Sequence, residues 1–521
     1  MAETATVQTE NQTPQLSLTG ITKQYPGTLA NDDIDLSVLP GEVHALLGEN
    51  GAGKSTLVKI IYGVVKADAG EIRWQGDPIT IRNPSEARRL GIGMVFQHFN
   101  LFETLTVAEN ISLGLDSDHD IKQLTDEIAE ISEHYGLPIN PHRHIHALSV
   151  GERQRVEIIR CLVQHPKVLI MDEPTSVLTP QEVGKLFETL RKLAEEKCSI
   201  LYISHKLDEI QALCDGATVL RHGKVTAHCK PKQETPKSLA EMMIGSELPV
   251  CHRTEPVKSE EICLEVKGLA LTSPDPHGTN LNGIDIQVRK GEIFGIAGVS
   301  GNGQHELLAA INGETLAPRA DMIRMNGQDV ARMGPAGRRR LGLAFVPGER
   351  LGRGAVPDMS LSDNALLTGY LSGFVRGGFV NYDKVRAYAA RVRERFDVRS
   401  AGIHAEAKSL SGGNLQKFII GREIMLGPDL LVLAHPTWGV DVGAATTIHQ
   451  AVVDLAQGGT AVLIVSEDLD ELFEICDRIA VIAEGRLSPA RRTMETNVEE
   501  VGMWMSGQFA SADGEETTRV D

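Results

Sequence analysis

The sequence lacks a long hydrophobic run. Its uninterrupted apolar segments are short pieces such as residues 430–434 and 461–465, far below the roughly 18 residues that a membrane-spanning helix needs. The N-terminal segment MAETATVQTENQTPQ contains neither a basic residue nor an apolar stretch, so it does not resemble a secretory signal. We therefore expect a chain that does not cross a membrane and that works in the cytosol.

Cysteine pairing and an excess of basic residues are also missing. Seven cysteines occur, at positions 161, 198, 214, 229, 251, 263 and 476, without a C-x-x-C pair, which indicates reduced thiols rather than a disulfide framework or a zinc site. The 52 Lys and Arg residues face 70 Asp and Glu residues, and the net charge of −18 argues against general nucleic-acid binding. A hydrophobic content of 41% excludes disorder as the main state.

What the sequence does contain is an internal repeat. Residues 34–53, IDLSVLPGEVHALLGENGAG, recur as residues 284–303, IDIQVRKGEIFGIAGVSGNG, at an offset of 250. LTVAEN returns as MSLSDN at an offset of 254, and LSVGERQ and SHKLDEI return as LSGGNLQ and SEDLDEL at an offset of 262. Because the order is kept and the offset only grows, the pattern indicates a tandem duplication of domains of about 240 residues and not a solenoid.

Each half alternates short apolar runs with longer helical patterns. Residues 43–47, 168–171 and 199–203 are strand-like, whereas residues 181–197 and 207–214 have a helical pattern. Apolar strands that do not alternate with polar positions indicate a parallel sheet covered on both faces, so each half is predicted to be α/β. The predicted domains are residues 15–245 and 262–507, with a linker at 246–261 and disordered tails at 1–14 and 508–521.

A phosphate-binding motif, or P-loop, lies in the first half. Residues 48–56, GENGAGKST, match G-x-x-x-x-G-K-[ST] between a strand-like and a helix-like segment. In that context backbone N–H groups face a polyphosphate, Lys54 supplies charge to the β- and γ-phosphates, and Ser55 offers its hydroxyl to Mg²⁺. A mere glycine-rich turn would not require the lysine. The residues predicted to bind the phosphates are Gly48, Glu49, Asn50, Gly51, Ala52, Gly53, Lys54, Ser55 and Thr56.

Two adjacent carboxylates follow another strand-like segment, KVLIMDEPT at residues 167–175. Open parallel sheets bind ligands at the carboxyl ends of their strands. Asp172 is therefore predicted to reach Mg²⁺, and Glu173 to accept a proton from an attacking water or to orient it. An Asp-Glu pair after a strand is common by itself, but the P-loop upstream favours the interpretation as a Walker B segment.

The segments LSVGERQ and LSGGNLQ resemble the signature segments of ATP-binding-cassette (ABC) ATPases, and the likeness covers nearly the whole chain. The resemblance implies two tandem P-loop NTPase domains, each with a mostly parallel sheet, a helical subdomain and an N-terminal antiparallel part, and it implies ATP and Mg²⁺ as cofactors. It also implies roles for Gln97 as the Q-loop glutamine at Mg²⁺, for His205 as the switch histidine at the γ-phosphate, and for Tyr25 as the aromatic residue stacked on adenine.

The second half departs from this family pattern. In GVSGNGQH, residues 298–305, Gln304 replaces the lysine and His305 the serine; a neutral amide cannot supply the charge, and imidazole is a poor ligand for a hard cation. The other changes are Ala434 for Asp172, His435 for Glu173, Glu467 for His205, and VPGER around Gly348 in place of the Q-loop glutamine. We therefore predict that this second site does not hydrolyse ATP.

The second signature, in contrast, is intact. The resemblance implies head-to-tail pairing, in which the signature of one cassette closes over the nucleotide of the other, so Ser411, Gly412 and Gly413 are predicted to complete the first phosphate site. The converse site, built on Gln304 with Ser149, is predicted to be silent. Thr179 stands where the family usually places aspartate, whereas the second half keeps Asp441, and this difference agrees with one working site.

Two cassettes on one chain and the segment SEDLDE resemble the ATPase subunits of bacterial simple-sugar and nucleoside importers, and GVSGNGQ with AHPTWGVDVGA favours the nucleoside branch. The resemblance implies two integral-membrane permease subunits, an extracytoplasmic solute-binding protein, and a peripheral position on the cytoplasmic face of the inner membrane. The alternatives are a ribose- or galactose-type importer ATPase, a soluble twin-cassette ATPase acting on ribosomes or DNA, and a non-catalytic scaffold, which the charges at Lys54, Asp172 and Glu173 oppose.

Two further features are interpreted as solvated surface. PHRHIHA, residues 141–147, has three histidines in a loop without a nearby cysteine or carboxylate, which favours a solvated loop over a metal site. RMGPAGRRR, residues 332–340, is expected to form a solvated helix face and not a nucleic-acid patch.

Overall fold

The computed structural model describes residues 12–26, 28–49, 51–96, 99–115, 120–175, 178–204, 206–245, 259–275, 278–505 and 507. The chain divides into two compact units, Met1–Leu248 and Pro249–Asp521. Most of the predicted linker and tails lies outside the described residues, and the exact domain bounds stay predictions.

The first unit contains two sheets and the helices that cover them. Its strands are β1 (Leu16–Tyr25), β2 (Thr28–Val38), β3 (Val43–Leu47), β4 (Ala69–Trp74), β5 (Asp77–Ile79), β6 (Ile92–Val95), β7 (Val168–Asp172), β8 (Ser199–Ile203), β9 (Gly216–Arg221) and β10 (Lys224–Cys229). Its helices are α1 (Lys54–Ile61), α2 (Pro84–Leu90), α3 (Val107–Ser112), α4 (Ile121–His134), α5 (Val150–Leu162), α6 (Pro180–Glu195), α7 (Leu207–Leu213) and α8 (Pro236–Ile244).

The larger sheet of this unit has the strand order β10-β9-β3-β8-β7-β6 and is parallel except for β10 at its edge. The smaller sheet, β2-β1-β4-β5, is antiparallel. Successive residues of β7 point to opposite faces: Leu169 and Met171 pack with the helices α3 to α6, whereas Val168 and Ile170 pack with α1 and the antiparallel sheet. Both faces of the parallel sheet are buried, which explains why its strands are continuously apolar.

The second unit repeats this arrangement. Its strands are β11 (Ile262–Leu271), β12 (Leu281–Arg289), β13 (Ile293–Ala297), β14 (Ile323–Met325), β15 (Gln328–Asp329), β16 (Leu343–Val346), β17 (Val375–Arg376), β18 (Phe379–Val380), β19 (Leu430–Ala434), β20 (Ala461–Ser466), β21 (Arg478–Ala483), β22 (Arg486–Leu487) and β23 (Arg491–Arg492). Its helices are α9 (Gln304–Asn312), α10 (Pro335–Arg340), α11 (Leu361–Gly369), α12 (Tyr382–Arg395), α13 (Gly412–Ile424), α14 (Val442–Gln457), α15 (Leu469–Ile475) and α16 (Val498–Met505).

The parallel core of the second unit has the order β16-β19-β20-β13-β21, and β22 and β23 pair with β21 in antiparallel fashion. The antiparallel sheet is β12-β11-β14-β15. The hairpin of β17 and β18 lies between α11 and α12, within the interval where the repeat offset grows to 262. The predicted α/β class and the tandem repeat of one architecture are confirmed. Among the described helices, none is long and apolar enough to span a bilayer.

The two features interpreted as solvated surface have different outcomes. His142, His144 and His146 are exposed, as expected. The expectation for residues 332–340 is wrong at Arg338, whose side chain is fully buried. Its guanidinium donates to the carbonyls of Ala310, Ile311, Met333 and Ala331 and so satisfies carbonyl groups at the end of α9. Burial lowers the pKa of Arg338 to about 10.

Candidate functional site

The first P-loop connects β3 to α1, and its glycines are required by close backbone approaches. Gly48 and Gly53 have φ angles of 145° and 103°, which residues other than glycine rarely adopt. A Cβ atom at Gly48 would collide with the carbonyl of Leu220, and one at Gly53 with the carbonyl of Ala30. Because Gly53 directly precedes α1, the unsatisfied N–H groups of this helix open onto the loop.

Lys54 lies at the centre of this loop. Its ammonium donates to the carbonyl oxygens of Gly48 and, at 3.0 Å, of Glu49. Burial is the largest influence on the Lys54 pKa and lowers it, while the charges of Glu173, Asp172 and Glu49 act in the opposite direction. The structure therefore brings together the lysine and the two carboxylates that the sequence places more than a hundred residues apart.

Asp172 ends β7, and Glu173 follows it in a strained turn. The φ angle of Glu173 is 50°, in the left-handed region that non-glycine residues avoid. Its backbone N–H donates to the carbonyl of Ile203 at 2.8 Å, which attaches the turn to the neighbouring strand β8. The turn thus fixes both carboxylates at the carboxyl edge of the parallel sheet, where such sheets bind ligands.

The remaining predicted residues of the first site have these positions. Ser55 is exposed and Thr56 half-buried in the first turn of α1, while Gly51 is exposed and Ala52 buried within the loop. Tyr25 ends β1 with its side chain 38% exposed, in a hairpin whose second strand contacts the loop at Gly53. The ammonium of Lys23 lies 5.7 Å above the Tyr25 ring. Asn50, Gln97 and His205 lie outside the described residues, so their roles stay predictions.

The corresponding loop of the second unit is filled by its own side chain. Gln304 is buried, its amide donates to the carbonyl of Val299 at 2.7 Å, and its Oε1 accepts the backbone N–H of Asn302 at 3.0 Å. The Asn302 side chain donates to the same Val299 carbonyl at 2.9 Å. The backbone N–H of Asn302, which a bound phosphate would need as a donor, is therefore already bonded within the loop.

The second unit keeps the strained turn without its carboxylates. His435 has a φ angle of 46°, and its N–H donates to the carbonyl of Val465 at 2.8 Å, so its backbone matches that of Glu173. Burial, opposed by the charge of Glu471, lowers the pKa of the His435 imidazole. A neutral imidazole at this position cannot replace the negative charge of the glutamate.

The first signature is capped by its own side chains at the start of α5. Ser149 and Glu152 form a capping box: the Ser149 hydroxyl accepts the N–H of Glu152 at 3.3 Å, and the Glu152 carboxylate accepts the N–H of Ser149 at 2.8 Å. A second carboxylate, Glu182, lies against Gly151. The Glu152 carboxylate also pairs with the guanidinium of Arg143 at 2.7 Å, so the start of α5 is closed by its own side chains.

The second signature has a different local chemistry at the start of α13. Asn414 replaces the glutamate, and its amide donates to the Ser411 hydroxyl at 2.8 Å. Within the described part of the chain, the Ser411 side chain accepts no capping hydrogen bond from the helix backbone, and Ser411 and Gly412 are exposed. The start of α13 therefore lacks the side-chain cap of α5, while the Asp441 carboxylate lies against Gly413 as Glu182 lies against Gly151.

Sequence reasoning missed several residues that shape these sites. Asn31 is fully buried and donates to the Gly53 carbonyl at 3.1 Å, and Leu281 occupies the corresponding position in the second unit. Glu152 and Asn414 distinguish the two signatures in the printed sequence, and this difference was a usable signal. Arg350, which lies against the second signature, gave no such signal because the contact joins residues far apart in the chain.

The described residues contain no cluster of three His, Cys, Asp or Glu side chains suited to hold a metal ion. Ser55 and Asp172 nevertheless supply a hydroxyl and a carboxylate oxygen beside the P-loop, and these are donors that Mg²⁺ prefers. The donor set therefore fits Mg²⁺ held between these side chains and the phosphates, because magnesium usually keeps few protein ligands.

Comparisons with known proteins identify the family to which both units are similar. A family model described as "ABC transporter" matches residues 31–176 and 281–438. The nucleoside import ATP-binding protein NupA of Lactococcus lactis subsp. cremoris is 40% identical over 498 residues, which cover 94% of this chain and 98% of that protein. The glucose import ATP-binding protein TsgD13 of Haloferax volcanii is 40% identical over 532 residues, covering 95% of this chain and 96% of that protein.

A solved structure also aligns with both units. It is the crystal structure of the complex of archaeal ribosomal stalk protein aP1 and archaeal ribosome recycling factor aABCE1. The alignment covers 91% of this chain and 90% of that chain, with a TM-score of 0.62 and 19% identity. At this identity the likeness shows the fold alone.

Proposed function

Because the chain belongs to the ABC transporter family and is an ATPase with two cassettes, we propose that it hydrolyses ATP at one composite site and energises a bacterial importer, with nucleosides as the transported solute. The observation that carries the proposal is the contrast between the two P-loops. The first holds Lys54 close to Asp172 and Glu173, whereas the second has the neutral amide of Gln304 in place of the lysine and has Ala434 and His435 in place of the carboxylates.

The first site has the groups that phosphoryl transfer to water requires. The loop N–H groups and Lys54 bind the β- and γ-phosphates and stabilise charge on the transferred group. Glu173 accepts a proton from the attacking water at its carboxylate or orients that water in line with the γ-phosphate. When bound, Mg²⁺ neutralises phosphate charge, and Ser55, Asp172 and Gln97 are the residues proposed to hold it.

The second half of the composite site is the signature of the other unit. Ser411, Gly412 and Gly413 start an uncapped helix, and such a helix N-terminus binds anions through its N–H groups. At the first signature, the N–H groups of Ser149 and Glu152 are already bonded within the capping box, so they are less available to a polyphosphate. This inequality supports pairing of the first P-loop with the second signature. His205 is proposed to contact the γ-phosphate, and Tyr25 to stack on adenine.

The proposed partners are two permease subunits and a solute-binding protein. The proposed location of the chain is the cytoplasmic face of the inner membrane. Exposed apolar side chains support docking to a permease. Phe102 and Leu113 are each 61% exposed, and they flank the start of the helical part that follows the predicted Q-loop residue Gln97. Exposed large apolar side chains are a feature of protein interaction surfaces.

The identity of the transported solute is the most specific part of the proposal. The name of NupA supports nucleosides, and the name of TsgD13, at the same 40% identity, supports a sugar importer as the second candidate. Because other subunits bind the solute, residues 298–304 and the segment AHPTWGVDVGA favour nucleosides by resemblance and not by contact with the solute. A soluble twin-cassette ATPase is disfavoured by the closed second loop, because such relatives generally keep two intact sites.

The test is the complex reconstituted in proteoliposomes with its permeases and binding protein. ATP hydrolysis is measured against a panel of nucleosides, ribose, galactose and glucose, with Glu173→Gln as the inactive control. We expect a nucleoside to stimulate hydrolysis and to enter the vesicles. Stimulation by a sugar alone would assign the sugar branch. If the chain does not bind permease-containing membranes, the importer role is wrong.

A further inference from the structure

Arg350 lies in the loop that replaces the Q-loop of the second unit, two residues after Gly348. Its side chain reaches the signature: Nε donates to the Gln416 side-chain oxygen at 3.1 Å, in the second turn of α13. Nη1 approaches the carbonyl of Gly439 at 3.5 Å. A Cβ atom at Gly412 would collide with the same nitrogen, so the guanidinium is packed directly against the signature backbone.

The contact continues into the loop after β19. Gln416 is 1% exposed, and its amide donates to the carbonyl of Pro436 at 2.9 Å. Arg350 and Gln416 together therefore join three segments: residues 346–350, the signature at the start of α13, and residues 436–439. The planar guanidinium of an arginine can join these segments because its N–H donors point in several fixed directions. The ammonium of a lysine, on a flexible side chain, cannot hold the same geometry.

Among the residues described in the first unit, no equivalent of this bracing is seen. Gln154 occupies the position of Gln416 and is likewise buried, but its Nε2 finds no hydrogen-bond partner among the residues that the structure describes. The guanidinium near the first signature is that of Arg143, which pairs with Glu152 and donates to the carbonyl of Ala147. The brace is thus present only at the signature that the proposed function assigns to the working site, within the described ranges of the two units.

The arginine is held at a cost in desolvation. Burial lowers the pKa of Arg350, and its Nη2 is buried without a hydrogen-bond partner in the described part of the chain. A buried unsatisfied donor is unfavourable, so packing a guanidinium here is not explained by stability alone.

We propose that Arg350 is a positioning residue of the composite site, which orients the start of α13 so that the signature N–H groups face the γ-phosphate. This inference rests on the proposed function, since it needs the second signature to serve the first P-loop. Arg350 itself does not contact the nucleotide in this proposal. It acts through Gln416 and through the loop at residues 436–439.

The test is steady-state ATP hydrolysis by the full chain with the variants Arg350→Gln, Arg350→Lys and Gln416→Leu. We expect each to lower kcat about tenfold while the KM for ATP changes less than about twofold, because the groups that bind the triphosphate in the first unit are untouched. Arg350→Lys should not keep wild-type kcat, since lysine lacks the planar guanidinium. The double variant Arg350→Gln with Gln416→Leu should be no slower than the single variants, because both remove one connection.

Arg353→Gln is the matched control. Arg353 lies in the same loop, and its ion pair among the described residues is with Glu314 and not with the signature, so wild-type kcat is expected. Ser411→Arg is measured in parallel: if it abolishes hydrolysis while Arg350→Gln keeps wild-type kcat, the positioning role is wrong and the composite site stands. If Ser411→Arg is fully active, the composite site itself is wrong. Wild-type kcat in Arg350→Lys would also refute the positioning role, because the positive charge alone would then be sufficient. A melting temperature within a few degrees of wild type for Arg350→Lys keeps the kinetic comparison valid.

Discussion

The pair Glu173→Gln and His435→Gln tests the division of chemistry between the two units. Both positions have the same left-handed backbone, with φ angles of 50° and 46°, and both donate their N–H to the adjacent strand at 2.8 Å. The two variants therefore place the same side chain on the same backbone. Any difference in hydrolysis comes from the chemistry that the native side chain supplied.

The expected magnitudes follow from those roles. Removal of a positioned general base costs about 100- to 10,000-fold in rate, which corresponds to about 3–5 kcal/mol of activation free energy. Glu173→Gln should lose turnover by this amount, because an amide cannot accept the proton of water. His435→Gln should change turnover less than about threefold, because the loop beside His435 is closed by Gln304 and has no carboxylate to lose.

The assay is phosphate release at saturating ATP, with ATP binding measured separately by thermal stabilisation. A ligand present at 100 times its Kd stabilises the folded state by about 2.7 kcal/mol, and Glu173→Gln should keep this stabilisation since Lys54 and the P-loop are intact. Equal losses of turnover in the two variants would refute the assignment of hydrolysis to the first P-loop. Loss of ATP binding in Glu173→Gln would instead show that the carboxylate supports the loop.

Two further predictions concern the two signatures and a buried histidine of the second unit. Ser411→Arg should abolish hydrolysis because it blocks an uncapped helix N-terminus. Ser149→Arg should cost about 1 kcal/mol of stability through the lost cap but leave turnover near wild type. Phosphate release measures the turnover and thermal unfolding the stability of each variant, and equal turnover in the two variants would contradict the prediction. His449 is buried, and although burial lowers its pKa, hydrogen bonds and charge from Glu471 and Glu474 raise it to about 9. Because this folded pKa exceeds the ordinary value of 6.5, the stabilisation of about 3 kcal/mol is complete below about pH 6.5 and lost as the pH rises through about 9. His449→Phe, which copies the aromatic side chain of Phe187 in the first unit, should remove this slope from the pH dependence of unfolding, and an unchanged slope would contradict the ion-pair network.

Much of the architecture could be predicted because it depends on local pattern and on the repeat. The strands at residues 43–47 and 199–203 match the predicted bounds, and the P-loop glycines are required by backbone conformations that only a small set of sequences allows. The lost charges of the second unit could be found by aligning the two halves. These features are visible in the sequence because each is decided by residue type within a short segment.

The rest depends on contacts between distant segments. Arg338 looks like a surface residue in a basic helix, yet its guanidinium donates to carbonyls up to 28 residues away and is fully buried. Nothing in the order of residues indicates that Gln304 fills its own loop, because the same amide could point to solvent. Arg350 and Gln416 are 66 residues apart, and only the fold shows that they touch.

The strained turn at His435 is informative because the second unit has lost the chemistry that usually explains it. A non-glycine residue in the left-handed region costs about 1–3 kcal/mol and persists only where the surroundings require it. Here the turn leads into residues 436–439, whose Pro436 carbonyl accepts from Gln416 and whose Thr437 hydroxyl donates to the buried Glu471 at 2.7 Å. The backbone is therefore kept for what it positions and not for the side chain that it displays. Under the proposed division of labour, the degenerate unit must keep this loop rigid, since the loop supports the signature that closes over the nucleotide of its twin.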